Sequence, residues 1–178
     1  MSFFNTRSLL DLTKKIQIKK TGYSSPLIST ILLTDGSVNT QSKIGYGAYL
    51  SVSELGLPLD LLKGLVKVRR FEHTSSTKLE LQTLLWALND IRALGSKMTV
   101  YTDSQNIMGL QGRRNRVEKN NNLKNYELYQ EFYRMIDQFD CEFVKVRGHK
   151  VLNQKDDIDR LFTLVDRASR KALRTDSR

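Results

Sequence analysis

One cysteine, Cys141, among 178 residues excludes an internal disulfide and any zinc site built from several cysteines. It fits a reducing compartment, cytoplasmic or otherwise intracellular. No apolar run approaches the length of a membrane span, and the first twenty residues lack the short apolar core of a secretory signal. No internal repeat is visible, and Asn120-Asn121-Asn122 is the only low-complexity tract. The one tryptophan, Trp86, sits inside an apolar helical pattern, which marks it as core rather than a platform for stacking bases. Acid is the scarcer charge: 19 acidic residues face 29 basic ones, for a net charge of +10. Such an excess points to a polyanionic partner, and to nucleic acid before a membrane surface when no amphipathic anchor is evident.

What is present is ordinary in bulk. Apolar residues make up 39% and charged residues 27%, the balance of a soluble domain, and the length suits one domain with a substantial core. Residues 1–26 read as a basic extension, with Lys14, Lys15, Lys19 and Lys20, and not as a separate domain; residues 27–178 read as the folded unit. Three strands are expected at Leu27–Asp35, Ile44–Val52 and Lys63–Glu72. Their connections, a polar turn over Gly36–Lys43 and a loop or short helical turn over Leu55–Leu62, suit an antiparallel meander, and Gly45 and Gly47 permit close packing. A helix follows over Ser75–Leu94, with Leu81, Leu84, Leu85, Leu88 and Ile91 on one face and Gly95 as its stop. Then come a strand to Asp103, a short helix from Ser104 to about Leu110, and a polar basic stretch over Gln111–Lys124. A helix over Tyr126–Phe139, a strand over Cys141–Val146 and a last helix from Asp156 to about Arg174 complete the chain. The expected class is α/β, a mixed sheet with helices on its faces.

The few acids are placed informatively. Leu32-Leu33-Thr34-Asp35-Gly36-Ser37 is an apolar run that ends in a carboxylate, and Thr99-Val100-Tyr101-Thr102-Asp103-Ser104 repeats the device. A carboxylate at the end of a buried strand must be paired, neutralised or metal-bound. Two such strand ends invite one shared divalent cation, although Asp before Gly or Ser also serves as a turn or helix cap. Thr77-Lys78-Leu79-Glu80 has capping-box spacing, which by itself would account for Glu80.

Six signals occur in order: Thr34-Asp35-Gly36-Ser37, Gly45-Tyr46-Gly47-Ala48, Lys78-Leu79-Glu80-Leu81, Tyr101-Thr102-Asp103-Ser104-Gln105, Arg147-Gly148-His149 and Val165-Asp166-Arg167-Ala168. Together they resemble type 1 ribonuclease H over about Leu27 to Leu173. The resemblance implies a five-stranded mixed sheet, its first three strands antiparallel and its last two parallel. It also implies two Mg²⁺ ions (Mn²⁺ as a substitute) held by Asp35, Glu80, Asp103 and Asp166, and cleavage of the RNA strand of an RNA–DNA hybrid to 5′-phosphate and 3′-hydroxyl ends. His149 would assist proton transfer or product release. Contacts to ribose hydroxyls would fall to Asn39, Ser75, Ser76, Thr77 and Gln105. Arg113, Arg114, Arg116, Lys119 and Lys124 would form an abbreviated basic handle. The chemistry agrees: hard cations need oxygen ligands, and two ions roughly 3.5–4 Å apart support both oxygens of a phosphodiester displacement. Asp159 competes with Asp166, because it stands at the family's usual count of about ten residues after the histidine. Asp156, Asp157 and Asp159, however, suit the first turn of a helix on electrostatic grounds alone. A resolvase-, exonuclease- or integrase-like enzyme, or a module that binds nucleic acid without cutting it, are the alternative readings. A monomer with no obligate protein partner is expected.

Overall fold

Leu32 and Leu33 are both fully buried, yet adjacent residues of a strand face opposite ways. Their strand must therefore carry a packed layer on each side. The computed structural model describes residues 29–91, 97–146 and 156–176, and there it has those layers. The basic extension over residues 1–26 and the helix stop at Gly95 lie outside the described residues. The strands are β1 (Thr30–Asn39), β2 (Ile44–Val52), β3 (Lys67–Phe71), β4 (Met98–Thr102) and β5 (Cys141–Lys145). The helices are α1 (Leu59–Leu65), α2 (Ser76–Ile91), α3 (Gln105–Leu110), α4 (Arg114–Glu118), α5 (Tyr126–Gln138) and α6 (Asp157–Asp176), with a 3-10 turn over Gln111–Arg113.

The sheet has five strands in the order β3-β2-β1-β4-β5. β1, β2 and β3 pair antiparallel, and β4 and β5 join parallel, as expected from the sequence. On one face Leu32, Met98 and Val100 pack against Leu81, Leu84, Leu85 and Leu88 of α2 and Phe132 and Met135 of α5. On the other, Leu33, Ala48 and Leu50 pack against Leu161, Phe162 and Val165 of α6 and Leu62 of α1. Trp86 packs against the first of these cores, edge-on to Tyr49 at 4.8 Å between ring centroids.

Three boundaries differ from the sequence reading. β1 runs past Asp35 to Asn39, because its hairpin with β2 continues as far as Asn39↔Ile44 and keeps the backbone paired. Leu59–Leu65 is a helix, and the strand expected from Lys63 starts at Lys67, where the register with Tyr49 of β2 begins. Gln111–Glu118 is helical where an open polar stretch was expected. It is drawn in by Val117, which is buried in the core, and by Arg114, which bonds both Glu118 and Asp137 of α5.

The seat of α2 is made of glycine. Gly36 of β1 and Gly47 of β2 are direct cross-strand partners, and Gly45 lies two residues along. A Cβ on Gly36 would meet Leu79 at 2.9 Å, and one on Gly45 would meet Leu79 at 2.7 Å. On Gly47 it would lie 2.0 Å from the Thr83 hydroxyl oxygen. Thr83 can press so closely on the sheet because its hydroxyl is satisfied within the helix, donating to the Leu79 carbonyl at 2.8 Å. Gly47→Ala should therefore destabilise the protein by about 1–3 kcal/mol, the usual cost of overpacking, in urea unfolding. Adding Thr83→Ala should restore most of that loss; a Gly47→Ala protein as stable as the parent would show that the seat is not tight.

Candidate active site

The parallel ladder between β1 and β4 ends at Leu33↔Tyr101. Two residues beyond each of these stand Asp35 and Asp103, so the acids occupy equivalent positions where the strands part. A cleft at the carboxyl ends of parallel strands is where α/β folds commonly place ligands. Asp35 is not at the end of its own strand, but it is at the end of this ladder. Its carboxylate points to the α6 side, where the buried Ser169 hydroxyl donates to it at 2.7 Å. Glu80 arrives from the opposite layer, on the first turns of α2. Its carboxylate accepts from Ser104 at 2.5 Å. The Ser104 oxygen also accepts the Ile107 N–H at 3.2 Å and so caps α3. One hydroxyl thus ties Glu80 to the strand end that carries Asp103. Thr77 is the second residue of α2, and no capping box between it and Glu80 forms; the glutamate faces the cleft.

Asp166 closes the group from α6, in an ion pair with Arg170 at 2.6 Å. Asp35, Glu80, Asp103 and Asp166 line one cleft of about 430 Å³, with Ser76, Arg170, Leu173 and Arg174. Asp159 does not line it. The Asp159 carboxylate accepts the Asp156 N–H at 3.2 Å, and the Asp156 carboxylate accepts the Asp159 N–H at 2.8 Å, a reciprocal box at the start of α6.

The electrostatics follow from this crowding. Burial, opposed by the Ser169 hydrogen bond and reinforced by the charges of Asp103 and Asp166, pushes Asp35 up to about 6. Burial also raises Glu80; the Ser104 hydrogen bond lowers it, Asp103 raises it and Ser76 lowers it. The donor set is all oxygen and mutually repelling, which suits a hard cation such as Mg²⁺. Among the described residues no three acids are already gathered as an ion cage, so the four carboxylates share a cleft without closing on one point.

Among the described residues, Ser76 alone of the candidate substrate contacts lines the cleft. The Asn39 side-chain oxygen accepts the N–H groups of Gln41 at 3.0 Å and Ser42 at 3.2 Å and shapes the hairpin turn. The Ser75 carbonyl accepts the Leu79 N–H at the start of α2. Gln105 opens α3 with its side chain exposed, and Thr77 is exposed on α2. The Arg113 guanidinium bonds the Asn106 and Gly109 carbonyls, and Arg114 forks onto Asp137. Arg116, Lys119 and Lys124 are exposed. His149 lies outside the described residues. Sequence reasoning missed Ser104, Ser169 and Arg170. The only signal for the last two was their spacing, three and four residues after Asp166, which puts them on its face of the helix.

A mixed sheet whose parallel ladder opens onto four acids from strands and helices on both layers defines the class, a nuclease of the ribonuclease H-like α/β fold. The sequence model of the family described as RNase H matches residues 28–166, a span that includes all four acids. The chain therefore belongs to the ribonuclease H family and is a hydrolytic ribonuclease. It is similar to a protein named Ribonuclease H from Caldicellulosiruptor saccharolyticus, at 25% identity over 155 residues, covering 81% of this chain and 95% of that one. No helix among the described residues is long and apolar enough to cross a membrane.

The raised Asp35 makes a pH prediction. Its native form holds a proton more tightly than its unfolded form, so ionising it costs stability as pH rises from about 4 to about 6, and the full cost remains above that. Each tenfold gain in proton affinity is worth about 1.4 kcal/mol. In chelator at pH 7, Asp35→Asn should therefore be more stable than the parent by up to about 3 kcal/mol. The difference should shrink towards zero at pH 4. Equal thermal midpoints for the two proteins at pH 7 would show that this carboxylate is not held at a cost.

Proposed function

We propose that this enzyme cuts the RNA strand of RNA–DNA hybrids, endonucleolytically and with divalent metal, leaving 5′-phosphate and 3′-hydroxyl ends. RNA paired with DNA is the substrate class that family membership carries. The observation that carries the finer reading is the meeting of Asp35, Glu80, Asp103 and Asp166 in one cleft from four separate elements. Two Mg²⁺ ions bound there, with Mn²⁺ as a substitute, would supply an activated water and neutralise charge on the phosphoryl and leaving oxygens.

The chain's own residues supply position and charge. The backbone of Asp35 is set by its ladder with β2, and its carboxylate is oriented by Ser169. Glu80 is held by Ser104 at the mouth of the cleft, with Ser76 beside it. Asp166 is held by Arg170 on its own helix. Such supporting contacts orient metal-binding groups and reduce the reorganisation needed on binding. His149 is proposed as the group that carries a proton to or from the reacting phosphate, a role suited to imidazole near neutrality. Hybrid recognition would use the wide minor groove, where ribose hydroxyls are accessible. Ser76 stands in the cleft wall for that purpose, and Asn39, Ser75, Thr77 and Gln105 are the candidates around it. In the basic handle, Arg113 and Arg114 keep their bonds within the fold, which leaves Arg116, Lys119 and Lys124 to meet phosphates.

The test is incubation with labelled RNA–DNA hybrid, double-stranded RNA and duplex DNA, each with Mg²⁺ and with chelator. Cleavage confined to the RNA of the hybrid, and lost in chelator, is expected. Preferential cutting of duplex DNA would move the chain to another nuclease reading, and binding without cutting would make it a binding module. Asp35→Asn and Asp103→Asn should abolish cutting while the proteins stay folded.

The fourth acid has its own test. Asp166→Asn should cripple cleavage, with no loss of thermal stability beyond that of the Arg170 pair. Asp159→Asn should keep activity and weaken α6 by less than about 1 kcal/mol, because the amide oxygen can still accept the Asp156 N–H. The opposite pattern of activities would transfer the role to Asp159.

A further inference from the structure

A polyanion that binds beside four carboxylates needs cations close by to offset their repulsion. The basic residues of this chain differ in how far they are available for that. Near α4, Arg113 and Arg114 are committed to carbonyls and to Asp137 and Glu118. On α6, Arg167, Arg170, Lys171 and Arg174 recur at helical spacing, so they form one exposed stripe.

That stripe lines a groove of about 670 Å³, together with Asp166 and Thr175. Asp166, Arg170 and Arg174 also line the carboxylate cleft, so groove and cleft share a wall. Among the described residues Arg170 alone of the four basic ones makes an ion pair, with Asp166. The acid at the far end of α6, Asp176, is taken by Arg70 of β3. Arg167, Lys171 and Arg174 therefore present unneutralised positive charge next to the site. Helix stability does not explain them: like charges four apart, Arg167 with Lys171 and Arg170 with Arg174, cost a few tenths of a kcal/mol per pair. The favourable dipole at a helix C-terminus reaches only the last turn, which holds Arg174 but not Arg167 or Lys171.

We propose that this groove on α6 is a binding site for nucleic-acid backbone, taking the phosphodiesters of the strand that leaves the carboxylate cleft. The assignment rests on the ribonuclease reading above. From Asp166 to Arg174 the helix rises roughly 12 Å, long enough to run beside more than one phosphate of a strand. Arginine forks and a lysine point charge are the groups that bind phosphate without reading bases. The site steers and anchors the strand; sequence is not read there.

The experiment measures binding of a short RNA–DNA hybrid by fluorescence anisotropy between 50 and 200 mM salt, with Mg²⁺, in the Asp35→Asn background. One variant carries Arg167→Gln, Lys171→Gln and Arg174→Gln. A charge-matched variant carries Lys97→Gln, Arg134→Gln and Arg160→Gln, three exposed cations already paired with Glu142, Glu131 and Asp157. The α6 variant should flatten the log–log salt slope by about 2 to 3, at roughly 0.7–0.9 per phosphate contact, and the control by less than about 1. All six residues are exposed, and circular dichroism checks that both variants keep their helices. An unchanged slope in the α6 variant, or the same loss in both, overturns the site. Cleavage of the hybrid by the parent protein, assayed alongside, keeps the two readings apart. A parent that fails to cut removes the ribonuclease reading, whereas a parent that cuts and an unchanged slope remove only the groove.

Discussion

The approach of α2 to the sheet governs this structure. Where Gly36 and Gly47 face each other across the β1–β2 ladder there are no side chains, and Leu79 and Thr83 sit directly on the backbone. That contact sets the height of the helix above the sheet. Glu80 follows Leu79 in the chain, so the height fixes how far its carboxylate reaches round the sheet end. Ser104 then bonds Glu80 and caps α3 with the same hydroxyl, and this carries the constraint into the turn after β4, where Asp103 stands. A helix riding one methyl group higher would withdraw Glu80 and break that chain of contacts.

The site is assembled against its own charge. Asp35 is desolvated and sits among like charges, and it is held by a buried serine whose one hydroxyl hydrogen is shared between it and the Asp166 carbonyl. A fold selected for stability alone would have a neutral group there. α6 carries much of the answer: it packs the second core through Leu161, Phe162 and Val165, provides Asp166 and Ser169, and bears positive charge along the adjoining wall. Scaffold, cleft carboxylate and counter-charge come from a single helix, which makes its axial position the second dimension that must be right. The reciprocal Asp156–Asp159 box sets where that helix starts.

Much of the fold was legible because local pattern and global architecture agree. Period-two apolar runs, the leucine stripe of α2 and the glycines of β2 each name one face, and the five-stranded sheet with its parallel strands came from the family resemblance. What could not be read was set by partners distant in sequence. β1 passes through Asp35 because β2 continues to pair with it, and a strand's length depends on its neighbour. β3 starts at Lys67 through its register with Tyr49, whereas Leu65-Val66-Lys67-Val68 alternates without marking a boundary. Arg114 read as a free cation, but it finds Asp137 of α5 across 23 residues. Asp35 and Asp103 were visible as carboxylates after apolar runs. Glu80 needed the motif order, since a capping box was its local alternative; Asp166 needed its local motif to stand against Asp159, whose helix-start role is what forms. Ser169 lies 134 residues from the carboxylate it supports, and only its place on the helix face of Asp166 hints at it.

The β1 ladder has a consequence for how the molecule comes apart. β1 is flanked by β2 on one side and β4 on the other, with Leu32 and Leu33 fully buried between the two cores. Asp35 follows that segment directly and is itself paired with Ala48. Backbone packed between two layers opens at the highest local cost, while the ends of helices and loops open through local fluctuations. The four acids therefore do not share one local stability. Asp35 is the fixed reference point, and any motion that brings the carboxylates closer together must be made by α2, α6 and the turn after β4, moving towards it.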